Sequence, residues 1–208
     1  MALCVILVRN GSTAWSRERR LQGRQDVPLS AEGRAQAGAV ALALREQSVN
    51  AVYASPLRRA MDTAGPIAAA HGLAVRVHPG FVDVDAGEWE GLTPEEMAAR
   101  DPEAHRIWVE EPHRVALPGG ESIDRVRARV MAGLGDLRTA HAGQTVAVVS
   151  HAIPSRIVIL EALGLGLDRL WSLALSATGV SEVEFRDDWA AVHRMNSLVH
   201  LDQLQARP

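Results

Sequence analysis

Apolar residues run unbroken from Ala2 to Val8 and stop at Arg9-Asn10-Gly11. A continuous apolar run of this kind predicts a strand buried on both faces, the type found in parallel sheets. The signature returns at Ala51-Val52-Tyr53-Ala54 and at Thr145-Val146-Ala147-Val148-Val149, and Ala74 to Val77 is a candidate for one more short strand. Helical signals fill the intervals. Ser30 is placed to cap a helix from Ala31 to about Gln47, and another starts near Leu57, where Pro66 should kink or break it. Thr93-Pro94-Glu95-Glu96 has the form of a capping box, and Asp101-Pro102 opens a second short helix in the same way. Ser122 to about His141 reads as one long helix, and Ile153 to Leu163 as another stopped by Gly164. Gly179 to Arg186 and Ala190 to Met195 predict a hairpin across Asp187-Asp188.

Strands alternating with helices predict an α/β fold, a three-layer α/β/α sandwich around a mainly parallel sheet. A length of 208 residues suits one domain, spanning 1–208, with a small helical cap inserted at about 92–117. In such sheets ligands bind beyond the carboxyl ends of the strands. Three polar clusters fall there: Arg9-Asn10-Gly11, Ser55-Pro56-Leu57-Arg58-Arg59 and Ser150-His151. Guanidinium groups so placed suit an anionic oxygen ligand, which they bind through paired charge-assisted hydrogen bonds. Taken singly, each is an ordinary loop contact; Arg9, Arg58 and His151 at three strand ends together suggest an anion pocket.

Composition narrows the chemistry. The formal net charge of −3 gives no reason to expect a nucleic-acid partner. No apolar run approaches the roughly 20 residues that span a bilayer, and Ala2–Val8 is too short for a signal peptide, so no membrane partner and a cytoplasmic location are expected. Cys4 is the single cysteine, which excludes a disulfide framework and a Cys-based zinc site. Every basic residue other than histidine is arginine, so Schiff-base and P-loop lysine chemistry is closed off. Nothing has metal-ligand spacing, and no cofactor is implied. His71, His78, His105, His113 and His141 read as solvated groups at helix ends or loops, and His193 and His200 as packing or capping residues.

The segment Leu7-Val8-Arg9-Asn10-Gly11-Ser12-Thr13-Ala14-Trp15-Ser16 resembles the opening motif of the histidine phosphatase, or phosphoglycerate-mutase-like, superfamily, Leu-Val-Arg-His-Gly-Glu-Thr-x-Trp-Asn. Leu21–Ser30, Ser55–Ala60, Gly87-Glu88-Trp89-Glu90-Gly91, Pro118–Ser122, Val148–His151 and Asn196–Leu201 continue the resemblance in order over almost the whole chain. It implies phosphomonoester hydrolysis through a phosphohistidine. It places Arg9, Arg58 and His151 around the phosphate, with Gly11, Thr13 and Ser16 shaping or lining that loop. Asp83 matches the proton donor, with Asp85 and Glu88 near enough to compete. Trp89 and Glu90 belong to a structural turn. Within 92–117, Trp108, Glu110, Glu111, His113 and Arg114 are possible substrate contacts, though such a mix also suits a solvated amphipathic face. The short Val82–Gly87 segment fits phosphatases better than mutases. A small phosphorylated metabolite is the expected partner, and the chain is expected to be a monomer or homodimer.

The departure is Asn10, which matches the nucleophilic histidine. An amide nitrogen shares its lone pair with the carbonyl and is a poor nucleophile, yet its NH2 can hydrogen-bond phosphate. Binding without turnover is the expectation, and two accounts stay open. Asn10 is a substitution in a working phosphatase, as Arg9, Arg58, Asp83 and His151 suggest. Alternatively the chain is a natural non-catalytic binding or regulatory protein, as Ser12 and Ser16 in place of Glu and Asn suggest. His151 as a substitute nucleophile is disfavoured, because the family pattern gives it an assisting role.

Overall fold

The computed structural model describes residues 1–205. In chain order the elements are β1 (Leu3–Arg9), α1 (Ala14–Arg17), α2 (Ala31–Leu44), β2 (Ala51–Ala54), α3 (Arg58–Ala70) and β3 (Val75–Val77). After two short 3-10 turns come α4 (Pro94–Arg100), α5 (Pro102–Glu110), α6 (Ile123–Ala140), β4 (Thr145–Ser150) and α7 (Ala152–Ala162). The chain continues through β5 (Val180–Phe185), β6 (Ala190–Ser197) and α8 (Val199–Gln205). The six strands form one sheet in the order β3-β2-β4-β1-β5-β6. β3, β2, β4 and β1 run parallel, while β5 and β6 are antiparallel to their neighbours.

The unbroken apolar runs occupy the sheet centre, where helices cover both faces. Alternate side chains of one strand enter different cores, as the two-residue strand period requires. Val5, Leu7, Val146 and Val148 pack with Ile123, Val126, Val130, Ile157, Leu160 and Trp89. Ile6, Val8, Ala147 and Val149 pack with Val40, Leu44, Ala60, Ala64 and Ile67 of α2 and α3. Thus α6 and α7 lie on one face and α2 and α3 on the other. Burying each of these larger aliphatic side chains is worth about 1.5–3 kcal/mol, before the entropic cost of ordering it.

Caps match their sequence signals. Ser30 accepts from Gly33, Thr93 and Glu96 complete a capping box, Asp101 accepts from Ala104, and Ser122 from Arg125. Pro66 departs from expectation: α3 runs straight through it. Pro66 and Asp62, whose carbonyl would have received the missing N–H, both face solvent, so water can take that acceptor. His141 is another correction. It is buried, with Nε2 2.8 Å from the Tyr53 hydroxyl and Nδ1 2.6 Å from Gln144 Oε1, because the end of α6 is packed against β2. His200 is buried against Thr178 as a packing residue, whereas His193 lies exposed on the edge strand beside Glu184.

Candidate active site

The carboxyl ends of three adjacent strands converge. Arg9-Asn10-Gly11 leaves β1, Ser150-His151 leaves β4, and Ser55 leaves β2. Asp83 arrives from the loop beyond β3. Arg9, Asn10, Ser16, Asp83 and His151 line one cavity of about 290 Å³, with Gln22, Trp108, Arg156 and Trp171 among its other walls. This is the strand-end crevice that a parallel sheet offers to ligands.

The loop after β1 is held by close backbone approach. The Gly11 N–H donates to Thr63 Oγ1 at 3.0 Å and the Ser12 N–H to Gln36 Oε1 at 2.9 Å. A Cβ on Gly11 would stand 2.6 Å from the Gly33 carbonyl oxygen, and one on Gly33 would stand 2.0 Å from that of Ser12. Two glycines therefore let the start of α2 pack directly on the loop. Thr13 and Ser16 form a reciprocal cap on α1, and Thr13 Oγ1 also donates to Gln22 Oε1 at 2.9 Å. Thr13 is fully buried, so it shapes the loop, while Ser16 reaches the cavity.

Asn10 is nearly inaccessible, at 4% exposure. Its Nδ2 donates to the Gly11 carbonyl at 2.9 Å, which turns Oδ1 toward His151 Nδ1 at 3.0 Å. An amide oxygen only accepts, so His151 carries its proton on Nδ1, and Nε2 accepts from the Ser55 hydroxyl at 2.7 Å. Burial, reinforced by Arg59, Arg9 and Arg129, pushes the His151 pKa well below its ordinary value, so the ring is neutral.

The arginine after β2 is Arg59, a correction to the expectation for Arg58. Arg58 begins the solvent face of α3; its side chain is 66% exposed and pairs with Asp62 at 3.5 Å. Arg59, one residue on, is completely buried. It donates to the carbonyls of Gln25 and Gly23, each at 2.7 Å, and to Asp83 Oδ2 at 3.2 Å. Its Nε has no hydrogen-bond partner among the described residues. Arg9 Nη1 donates to the Leu175 carbonyl, which ties the loop before β5 to the site. Burial lowers the Arg9 pKa, Asp83 opposes that shift and Arg59 adds to it.

Of the three nearby carboxylates, Asp83 lines the cavity. Its Oδ2 lies 3.8 Å from His151 Nδ1, and burial raises its pKa against the opposing pull of Arg59, the Val84 N–H and Arg9. Asp85 faces Arg24 at 3.5 Å, and Glu88 pairs with Arg100 at 2.6 Å. Trp89 is fully buried, and Glu90 accepts from the Arg24 N–H at 2.6 Å and from Gln25 Nε2 at 2.7 Å, consistent with a structural turn.

Of the residues proposed around α5, Trp108 reaches the cavity, with Pro94 and Met97 of α4. Glu110 pairs with Arg106 and Glu111 with Arg114, so those carboxylates are spent on surface pairs and His113 and Arg114 lie off the cavity wall. Sequence reasoning gave no role to Ser55, Gln22, Arg156 or Trp171. Arg156 sits one turn along α7 from Ala152, stacked 5.0 Å from the Trp171 ring. Among the described residues no His, Cys, Asp and Glu group of metal-binding form occurs, and no helix is long and apolar enough to cross a membrane.

The profile of the histidine phosphatase superfamily (branch 1) matches residues 5–198. The chain is 36% identical over 199 residues to phosphoserine phosphatase 1 of Hydrogenobacter thermophilus, covering 96% of this chain and 94% of that one. It is 41% identical over 192 residues to a bifunctional protein of Mycobacterium tuberculosis, covering 92% of this chain but only 52%, about half, of that relative. Among solved structures, a mutant phosphoserine phosphatase of Entamoeba histolytica in complex with phosphoserine superposes with a TM-score of 0.86 at 28% identity, covering 96% of this chain and 99% of that one.

Proposed function

Because the chain belongs to the histidine phosphatase superfamily, we propose that it is a phosphomonoesterase scaffold that binds phosphate esters of small metabolites and, with Asn10 at the nucleophile position, turns them over little or not at all. The observation that carries this reading is the bond from Asn10 Nδ2 to the Gly11 carbonyl. An imidazole at position 10 would place Nδ1–H on the same acceptor, leaving Nε2 free to face the cavity. Asn10 thus keeps the geometry of a nucleophilic histidine and lacks its lone pair.

Each neighbour has a place in that chemistry. Arg9 offers donors to phosphate oxygens and Ser16 offers a hydroxyl, while the fully buried Arg59 holds Asp83 and the 23–25 loop in place behind them. His151, neutral and held by Ser55, orients the phosphoryl group. Asp83, its pKa raised by burial, is the carboxyl group placed to pass a proton to the leaving alkoxide. With histidine at position 10, Nε2 would attack phosphorus as the ester P–O bond breaks and Asp83 protonates the departing oxygen. Water would then attack the phosphohistidine, Asp83 taking its proton, to release phosphate. α4 and α5, within 92–117, act as the cap over the leaving group. The complex of the similar Entamoeba histolytica mutant with phosphoserine is consistent with this class of ligand.

The test compares the chain with its Asn10→His variant on an aryl phosphate and a panel of natural monoesters. Turnover with acid-labile phosphohistidine in the variant alone supports the reading. Losses on removing a covalent nucleophile reach about a million-fold, so the gain should be large. If the variant is inert while the chain binds phosphate esters, the protein is a non-catalytic binder; inertness without binding sinks the phosphate pocket.

A further inference from the structure

Four arginines line the cavity, and their partners differ. Arg19 faces Glu95 at 3.2 Å; Arg20 faces Glu18 at 2.9 Å and Glu96 at 2.8 Å. Among the described residues, Arg9 and Arg156 have no carboxylate within 4.0 Å. Arg9 is accounted for by the phosphate. Arg156 is not: Nε donates to the Leu173 carbonyl at 2.7 Å, and neither terminal nitrogen has a hydrogen-bond partner among the described residues. Burial and then Arg9 push its pKa down to about 10, so it remains a cation at neutral pH, partly stripped of water. Such a cation is costly unless an anion completes it.

The Trp171 ring and the Leu173 carbonyl fix the orientation of this guanidinium. His151 is the N-cap of α7, and Arg156 lies one turn beyond Ala152, about 6 Å along the axis at 1.5 Å per residue. Ala152, Ile153 and Arg156 share the cavity face of α7, and the small Ala152 leaves room between the two ends. We propose that Arg156 is a specificity-determining residue that recognises a carboxylate on the alcohol half of the phosphate ester, a short linker away from the phosphate. This rests on the phosphate-ester reading of the site. A planar fork with two free NH2 groups suits a carboxylate, and the apolar walls of Trp108 and Met97 suit the carbon skeleton between the charges.

The chain's affinities for 3-phosphoglycerate and glycerol 3-phosphate test this by calorimetry at fixed ionic strength. The two share phosphate and skeleton and differ in carboxylate against CH2OH. The unmodified chain should prefer 3-phosphoglycerate by about ten- to a hundredfold, as expected for a charge-assisted contact. In Arg156→Gln that ratio should fall to within about threefold of unity, and Arg156→Lys should retain part of it. Reading a ratio separates recognition from general damage, and the unmodified comparison stands even if a variant fails to fold. Equal affinities in the unmodified chain, or a preference surviving in Arg156→Gln, would overturn the assignment while leaving the phosphate pocket intact. If neither ester nor inorganic phosphate binds, the phosphate reading itself falls and this inference with it.

Discussion

Replacing Arg59 by methionine separates the buried arginine of the site from its exposed neighbour. Arg59 is 0% exposed and makes three hydrogen bonds, two to backbone carbonyls of the 23–25 loop and one to Asp83. Methionine roughly fills the volume and removes every donor. The Gly23 and Gln25 carbonyls then lose their partner, and Asp83 loses its nearest cation. Breaking a buried pair from one side costs about 3–5 kcal/mol. At about 2–4 °C per kcal/mol for a chain of this size, the melting temperature should fall by about 6–20 °C. Urea unfolding followed by linear extrapolation checks the free energy directly. Arg58→Met is the control: its side chain is 66% exposed and its pair with Asp62 spans 3.5 Å, so about 0–1 kcal/mol is at stake. If Arg59→Met melts within about 2 °C of the unmodified chain, or Arg58→Met is the more damaging, the account of the site's scaffold is wrong.

Burial raises the Asp83 pKa, so below that value a neutral carboxyl can donate to phosphate, and as pH rises through it a carboxylate repels the ligand. Inorganic phosphate binding should therefore weaken toward alkaline pH in the unmodified chain and less in Asp83→Asn, a comparison that cancels the titration of phosphate itself; parallel curves would remove Asp83 from the pocket. His151 is held neutral below its ordinary pKa of about 6.5, so in acid the unfolded chain takes a proton the native chain resists. Stability should fall as pH drops below about 6.5, and His151→Gln should flatten that part of the curve in denaturant titrations. Gly33→Ala forces a Cβ onto the Ser12 carbonyl and should cost at least about 1–3 kcal/mol, with weaker phosphate binding, as thermal melts and calorimetry would report. Tyr53→Phe leaves a buried His141 nitrogen unpartnered and should cost about 1–3 kcal/mol without altering phosphate binding.

Local rules carried far in this chain. Apolar runs without alternation specify strands buried on both faces, and three of them separated by helical segments leave a covered parallel sheet as the consistent packing. That arrangement already brings Arg9, Asn10 and His151 to one edge, because parallel strands present their carboxyl ends together. Even the choice between Arg58 and Arg59 was legible in helical phase: Arg59 shares the buried stripe with Thr63 and Ile67, while Arg58 shares the wet one with Asp62. The Ser55–Ala60 segment suggested a surface arginine because motif position says nothing about which way a helix is rotated.

Other features depended on the tertiary structure, since they arise between segments distant in the chain. Pro66 is tolerated because its turn of α3 faces water. His141 is buried because Tyr53, 88 residues away, meets the end of α6. The raised pKa of Asp83 and the lowered pKa of His151 come from desolvation, a property of the packed environment and not of residue type. Arg156 stands in the sequence as an ordinary helical arginine. Only the closing of α7 and Trp171 around the cavity leaves it a half-buried cation without a carboxylate partner among the described residues, because desolvation and unmet charge exist only once the chain has folded around them.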